Sequence, residues 1–284
     1  MKARELKAKL AAGGSVYGCM IYSASGLRWG HVLAGSTLDY VVIDSEHAAR
    51  DRENIANWVL LCKAYDITSI VRVPSTEAHY VAMALDTGAD GVLVPYCEKI
   101  EDVRACVATA KWHPLKGEYL NRAVRSGQFP SEKSRAYLAK RHADHLIVIG
   151  IESEPAVRRL DDILAVPGID ALFIGPNDLT TSLGIPDEIT DPAYVRTLKA
   201  IVKKAEAKKV PVMIHHQTPE ASRMSIDVGS RFVLHSSDAA LLLRGLKGDL
   251  AALRGAAPAA RSVTGAGKKK APIAPGHKDT LDTV

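Results

Sequence analysis

No apolar run in the 284-residue chain approaches the ~20 residues needed to cross a bilayer. The N-terminal stretch MKARELKAKLAAGGSVYG is charged and has no continuous apolar segment, so it reads as a short amphipathic helix and not as a signal peptide. The expectation is a cytoplasmic protein without a membrane partner. Cysteine is scarce. The four cysteines, at 19, 62, 97 and 106, show no CxxC spacing and each lies in an apolar segment, which predicts buried free thiols. Neither GxGxxG nor a P-loop occurs, so a nucleotide-binding fold has no support. A basic nucleic-acid face is also missing. The net charge is +5, but the stretch from Gly255 to Val284 holds five basic and two acidic residues, a net of +3, leaving only +2 for the body.

Hydrophobic residues make up 47% and charged residues 24%, the ordinary balance of a globular domain. Eight short runs rich in Val and Ile have strand character: 15–23, 39–45, 68–74, 90–96, 145–153, 170–176, 210–216 and 230–236. Amphipathic helical patterns such as ENIANWVLLCKAY, VRRLDDILAVPG and DPAYVRTLKAIVKKAEAKK lie between them, and two end at Gly88 and Gly168 as stop signals. Eight strand–helix units predict an α/β fold, a single-domain (β/α)8 barrel over residues 1–256. A doubly wound open sheet is the alternative. Region 115–144 is long for a connection and reads as an excursion at one barrel face. Residues 257–284, rich in Ala, Gly, Pro and Lys, read as a disordered basic tail.

In such a barrel, chemistry gathers at the C-terminal ends of strands. Those ends carry Asp44-Ser45-Glu46-His47, Arg72, Glu152, Asn177 and Asp178, His215 and His216, and His235. Glu152 and Asp178 come from adjacent strands. Hard divalent cations take carboxylate oxygens, and two protein ligands leave room for a chelating substrate; the alternative for either acid is an ion pair with Arg72. His47 is the candidate general base, with Asp86 to orient it, although Asp86 also suits a helix end ahead of Gly88. Arg72 suits a developing oxyanion or a structural ion pair. No lysine lies in any of the eight strand runs, which closes Schiff-base chemistry, so carbanion chemistry would need a metal.

The segments DYVVIDSEHAARD, IVRVP, ALDTGADGVLVP, IGIES and GPNDLTTSLG, in this order, resemble the class II pyruvate-dependent aldolases over roughly residues 14 to 255. That group includes the 4-hydroxy-2-oxoheptanedioate and 2-dehydro-3-deoxyglucarate aldolases, with macrophomate synthase and the citrate-lyase beta chain as more distant relatives. The resemblance implies a metal-dependent carbon–carbon lyase that cleaves a 4-hydroxy-2-oxo acid to pyruvate and an aldehyde through a metal-bound pyruvate enolate. It implies catalytic roles for Asp44, His47, Arg72 and Asp86. Glu152 and Asp178 would bind Mg2+, Mn2+ or Co2+, and the turn at Gly175, Pro176 and Asn177 would hold the substrate carboxylate. It also implies a homohexamer, a trimer of dimers, whose last helix swaps between subunits; AALLLRGLKGDLAALRG, which carries more leucine than a lone surface helix should, is compatible with that.

Two departures accompany the resemblance. The family has glutamine two residues before the metal glutamate, where this chain has Gly150. Where the family reads Gly-x-Arg-Gly-x-Gly in a pocket-shaping loop, this chain has Gly117-Glu118-Tyr119-Leu120-Asn121, with Tyr119 in place of the arginine. The altered 117–121 loop and the extra histidines keep open an oxaloacetate-type decarboxylase or a macrophomate-like synthase using the same enolate. A barrel that has lost its activity and serves as a binding protein is a further alternative. His215, His216 and His235 are atypical and either contact an acceptor or pack.

Overall fold

The structure is a computed structural model that describes residues 1–256. The chain runs α1 (Ala3–Ala11), β1 (Val16–Ile21), α2 (Gly30–Gly35), β2 (Tyr40–Asp44), α3 (Arg52–Ala64), β3 (Thr68–Arg72), α4 (Ala78–Asp86), β4 (Gly91–Val94), α5 (Ile100–Trp112), α6 (Gly117–Ser126) and α7 (Glu132–Arg141). It continues through β5 (Leu146–Gly150), α8 (Glu154–Arg158), α9 (Leu160–Leu164), β6 (Ala171–Ile174), α10 (Pro176–Ser182), α11 (Pro192–Ala207), β7 (Val212–His216), α12 (Pro219–Asp227), β8 (Phe232–Ser237) and α13 (Asp238–Ala256). The eight strands close in sequence order into one barrel, every pair parallel. All eight apolar runs are strands, because a strand buried on both faces must be apolar at successive positions. The tail expected at 257–284 lies outside the described residues.

Alternation along each strand makes two cores. Inward residues such as Val16, Met20, Tyr40, Val42, Ile70, Leu93, Val148, Phe173 and Phe232 fill the barrel. Outward ones such as Val41, Ile43, Val71, Val92, Ile147 and Leu172 pack against the helices. Helix α1 closes the lower end of the barrel: Ala3 and Leu6 are buried with the inner core, and Lys7 Nζ lies 2.8 Å from Asp170. The upper end, where the strands stop, stays open for chemistry.

Each helix returns the chain to the start of the next strand, so strand ends share one face and helix C-termini share the other. The excursion at 115–144 leaves from the C-terminal end of α5 and forms α6 and α7, so it sits at the lower face. The pattern VRRLDDILAVPG is not one helix. It divides at Arg159 between α8 and α9, and the break sets Leu160, Ile163 and Leu164 against the barrel. Gly88 and Gly168 have φ of 84° and 100°, the left-handed conformation that ends helices at little steric strain. All four cysteines are free and buried. Among the described residues, no helix is long and apolar enough to cross a membrane.

Candidate active site

The register of β2 on β3 sets Asp44 beside Arg72, and both are inward positions at strand ends. Arg72 is buried, and its Nε donates to Asp44 Oδ1 at 2.8 Å. Glu46 Oε2 lies 3.1 Å from Arg72 Nη1. Asp44 Oδ1 also accepts the Glu46 amide at 3.0 Å, which fixes the turn leading to His47. The guanidinium therefore has two carboxylate partners, and neither is Glu152 or Asp178. Among the described residues those two acids make no ion pair with it, so the ion-pair alternative for them falls away.

Glu152 follows β5 and is 2% exposed, and its Oε2 accepts the Tyr96 amide at 2.6 Å. Asp178 lies in the first turn of α10, one strand over. The two carboxylates converge above Gly175. A Cβ there would overlap Glu152 Oε1 and stand 3.4 Å from Asp178 Oδ2. Gly150 has a related reason: a Cβ would come within 2.6 Å of Glu152 Oε2 and 3.0 Å of the Tyr96 nitrogen. With glutamate folded down onto that amide, position 150 has no room for a side chain. Tyr96 itself has φ of 50°, uncommon for a non-glycine residue, and this conformation turns its N–H toward Glu152.

Arg72 is paired with Asp44 and Glu46, and the charges of Glu46, Glu152 and Asp178 act on one another nearby. Burial raises the Glu152 pKa to about 8, helped by Glu46 and Asp178 and opposed by Arg72 and the Tyr96 N–H. Burial likewise raises Glu46 to about 7, against the pull of Arg72. Surplus negative charge at hard oxygen donors is the setting a divalent cation neutralises, and Glu152 with Asp178 fits that role. Among the described residues no three His, Cys, Asp or Glu side chains converge to hold an ion unaided. Two donors would leave the remaining positions to substrate and water.

His47 is partly exposed, with Nε2 3.5 Å from Glu46 Oε2. Burial and then the charge of Arg72 lower its pKa, so the ring is neutral and basic at neutral pH. It lines a cavity of about 510 Å³ with Tyr22, Ser23, Ser25 and Arg50. Asp238, at the head of α13, shapes this wall by accepting the amides of Tyr22 at 2.9 Å and Ser23 at 3.1 Å. Sequence reasoning missed Asp238 and Tyr96. Position at a strand end was the available signal for both, but their partners are backbone amides, which leave no mark in the side-chain pattern.

Two expected residues are not brought to this mouth within the chain. Asp86 ends α4 and so lies at the lower face, where its Oδ1 is 2.9 Å from His113 Nε2 and not from His47. Tyr119 lies in the first turn of α6, also at the lower face, exposed and within 5.6 Å of the Arg122 guanidinium. Both follow from the helices that carry the chain away from the strand ends. The histidines separate by alternation: His215 faces inward, while outward His216 is buried and outward His235 Nδ1 lies 2.8 Å from Ser222 Oγ.

A match to the family described as HpcH/HpaI aldolase/citrate lyase spans residues 28–242, which takes in every residue of this mouth except the β1 strand itself and its loop to Ser25. The chain belongs to the HpcH/HpaI aldolase/citrate lyase family. It is 30% identical over 241 residues to a hydroxypyruvate/pyruvate aldolase of Roseobacter denitrificans, covering 84% of this chain and 92% of the relative. It is 30% identical over 237 residues to a 5-keto-4-deoxy-D-glucarate aldolase of Salmonella paratyphi A, covering 82% and 90%. The crystal structure of an HpcH/HpaI aldolase from Desulfitobacterium hafniense superposes with a TM-score of 0.76 at 28% identity, over 89% of this chain and 97% of that one. Family and fold agree on an aldolase-class lyase.

Proposed function

We propose that this HpcH/HpaI enzyme cleaves a 4-hydroxy-2-oxo acid into pyruvate and an aldehyde, with a divalent cation (Mg2+, Mn2+ or Co2+) held by Glu152 and Asp178. The observation that carries the reading is the convergence of those two carboxylates, free of Arg72, on the space above Gly175. When bound, the cation supplies Lewis-acid stabilisation of the negative charge that gathers on the 2-oxo oxygen.

The chain's own groups do the rest. The amides of Asn177 and Asp178 belong to the first turn of α10, where N–H groups have no acceptor within the helix, and they receive the substrate carboxylate. Pro176 at the helix start fixes the direction of that turn. Arg72, held rigid by Asp44 and Glu46, presents its remaining N–H groups to the 2-oxo oxygen. Neutral His47 takes the proton of the 4-hydroxyl as the C3–C4 bond breaks. The bonding pair passes to C3 and on toward the oxo oxygen, the aldehyde departs, and a proton returned to C3 gives pyruvate.

A homo-oligomer is part of the proposal. Helix α13 leaves Leu241, Leu242, Leu246, Leu250 and Leu253 between 41% and 68% exposed, a stripe a monomer has no use for. The test is product analysis with a panel of 4-hydroxy-2-oxo acids beside oxaloacetate. Equimolar pyruvate and aldehyde from a 4-hydroxy acid is expected. Turnover of oxaloacetate to carbon dioxide, with no retro-aldol cleavage of any panel member, would replace the lyase with a decarboxylase.

A further inference from the structure

The reaction above leaves one inward histidine unused. On β7, Met213 belongs to the inner core and Ile214 to the outer one, so His215 points into the barrel. It is only partly covered. It stands one inward position beyond Met213, at the C-terminal end of β7, above the inner core that fills the barrel.

His215 Nε2 lies 3.2 Å from the Ser236 carbonyl oxygen. A carbonyl only accepts, so Nε2 carries the proton and Nδ1 is the bare acceptor. No hydrogen bond to Nδ1 occurs among the described residues. The carbonyl is aimed by a local device. Ser236 has φ of 60° where the β1–β8 register shifts between Gly18 and Met20. Arg244 Nη2 holds that serine by donating to its Oγ at 3.0 Å. Strained backbone of this kind persists only where the surroundings fix it. Burial first, and then the charge of Arg72, bring the imidazole pKa down to about 3, while Asp44 pulls the other way. The ring is therefore a fixed neutral acceptor, close enough to Arg72 to feel its charge.

We infer that His215 Nδ1 is a specificity-determining acceptor for a hydroxyl on the oxo-acid half of the substrate, so that the enzyme favours a 3-hydroxylated 2-oxo acid over its 3-deoxy counterpart as the carbon nucleophile. The inference rests on the aldolase reading, in which Arg72 holds the 2-oxo oxygen and C3 is one bond from the oxo carbon. A methyl group at C3 leaves the acceptor facing carbon, whereas a hydroxymethyl group satisfies it. Sites built to hydrogen-bond a substrate hydroxyl discriminate strongly against the analogue that lacks it.

The test is aldol addition to one aldehyde by the full, metal-loaded chain, with hydroxypyruvate and with pyruvate as nucleophile. His215→Ala should lower the ratio of kcat/KM for hydroxypyruvate over pyruvate by about 10-fold or more, the range expected for one lost hydrogen bond to a buried acceptor. His215→Asn, whose Oδ1 restores an acceptor near the Nδ1 position, should recover most of the ratio. His215→Leu keeps the volume without the acceptor and stands in for alanine if that variant does not fold. A ratio within about twofold of wild type after loss of the acceptor overturns the inference, as does an equal fall for both nucleophiles in the Ala, Leu and Asn variants alike. Wild-type activity with an unmoved ratio overturns this inference alone. A wild-type enzyme that uses neither nucleophile overturns the aldolase reading and this inference with it.

Discussion

Glu152→Gln should make the metal-free enzyme more stable while abolishing its chemistry. Glu152 is 2% exposed, and burial with two nearby carboxylates raises its pKa from 4.5 to about 8. The sign follows from linkage. Between those two values the folded state keeps a proton that the unfolded chain releases, so the stability of the stripped protein is full below about pH 4.5 and declines up to about pH 8. At pH 7 the loss amounts to roughly 3 kcal/mol at about 1.4 kcal/mol per pH unit. Glutamine is neutral throughout and its Oε1 can still accept the Tyr96 amide. The variant should therefore melt about 6–12 °C above the stripped wild type at pH 7, at about 2–4 °C per kcal/mol for a domain of this size. The two should converge near pH 4. The assay is thermal unfolding of EDTA-treated proteins from pH 4 to 8. Equal melting points at pH 7 and above, or a less stable variant there, would refute the electrostatic account. Adding Mn2+ should reverse the order, because only the wild type gains the ligand's binding energy.

Gly175→Ala should weaken divalent-cation binding by at least about 10-fold in calorimetry, since its Cβ would overlap Glu152 Oε1; unchanged affinity would move the cation site elsewhere. Cation affinity should tighten as pH rises from 6 to 8, because Glu152, near 8, must give up its proton to hold the ion, and proton release measured in buffers of different ionisation enthalpy checks it. At saturating cation, kcat/KM should hold level below pH 6.5 before it falls, because the pKa of His47 is lowered from 6.5 and the base must be neutral. Leu242→Asp with Leu246→Asp, both half-exposed or more on α13, should reduce the solution mass measured by light scattering to that of a smaller species.

The barrel was legible because each strand is a short Val/Ile run and each connection a helical period, so order alone set the topology. The Asp44–Arg72 pair was legible as two polar strand ends, and parallel register made it a contact. Within the chain, Asp86 and Tyr119 lie away from the mouth for one physical reason. A motif's order in sequence carries no sign of which barrel face it reaches, and both lie at or beyond helix C-termini. Gly150 read as a departure until the folded-down Glu152 side chain and the Tyr96 amide explained its missing Cβ. The histidine pair on β7 was resolved by parity with Met213, information present in the sequence but usable only once the inner layer was known.

The most direct test of the central claim follows pyruvate and aldehyde released from a 4-hydroxy-2-oxo acid by the EDTA-stripped chain, before and after Mg2+, Mn2+ or Co2+ is restored. The account predicts equimolar products only with the cation present, and none from Glu152→Ala or Asp178→Ala at any cation concentration. Pyruvate formed at the same rate without the cation, or by either variant, would contradict it.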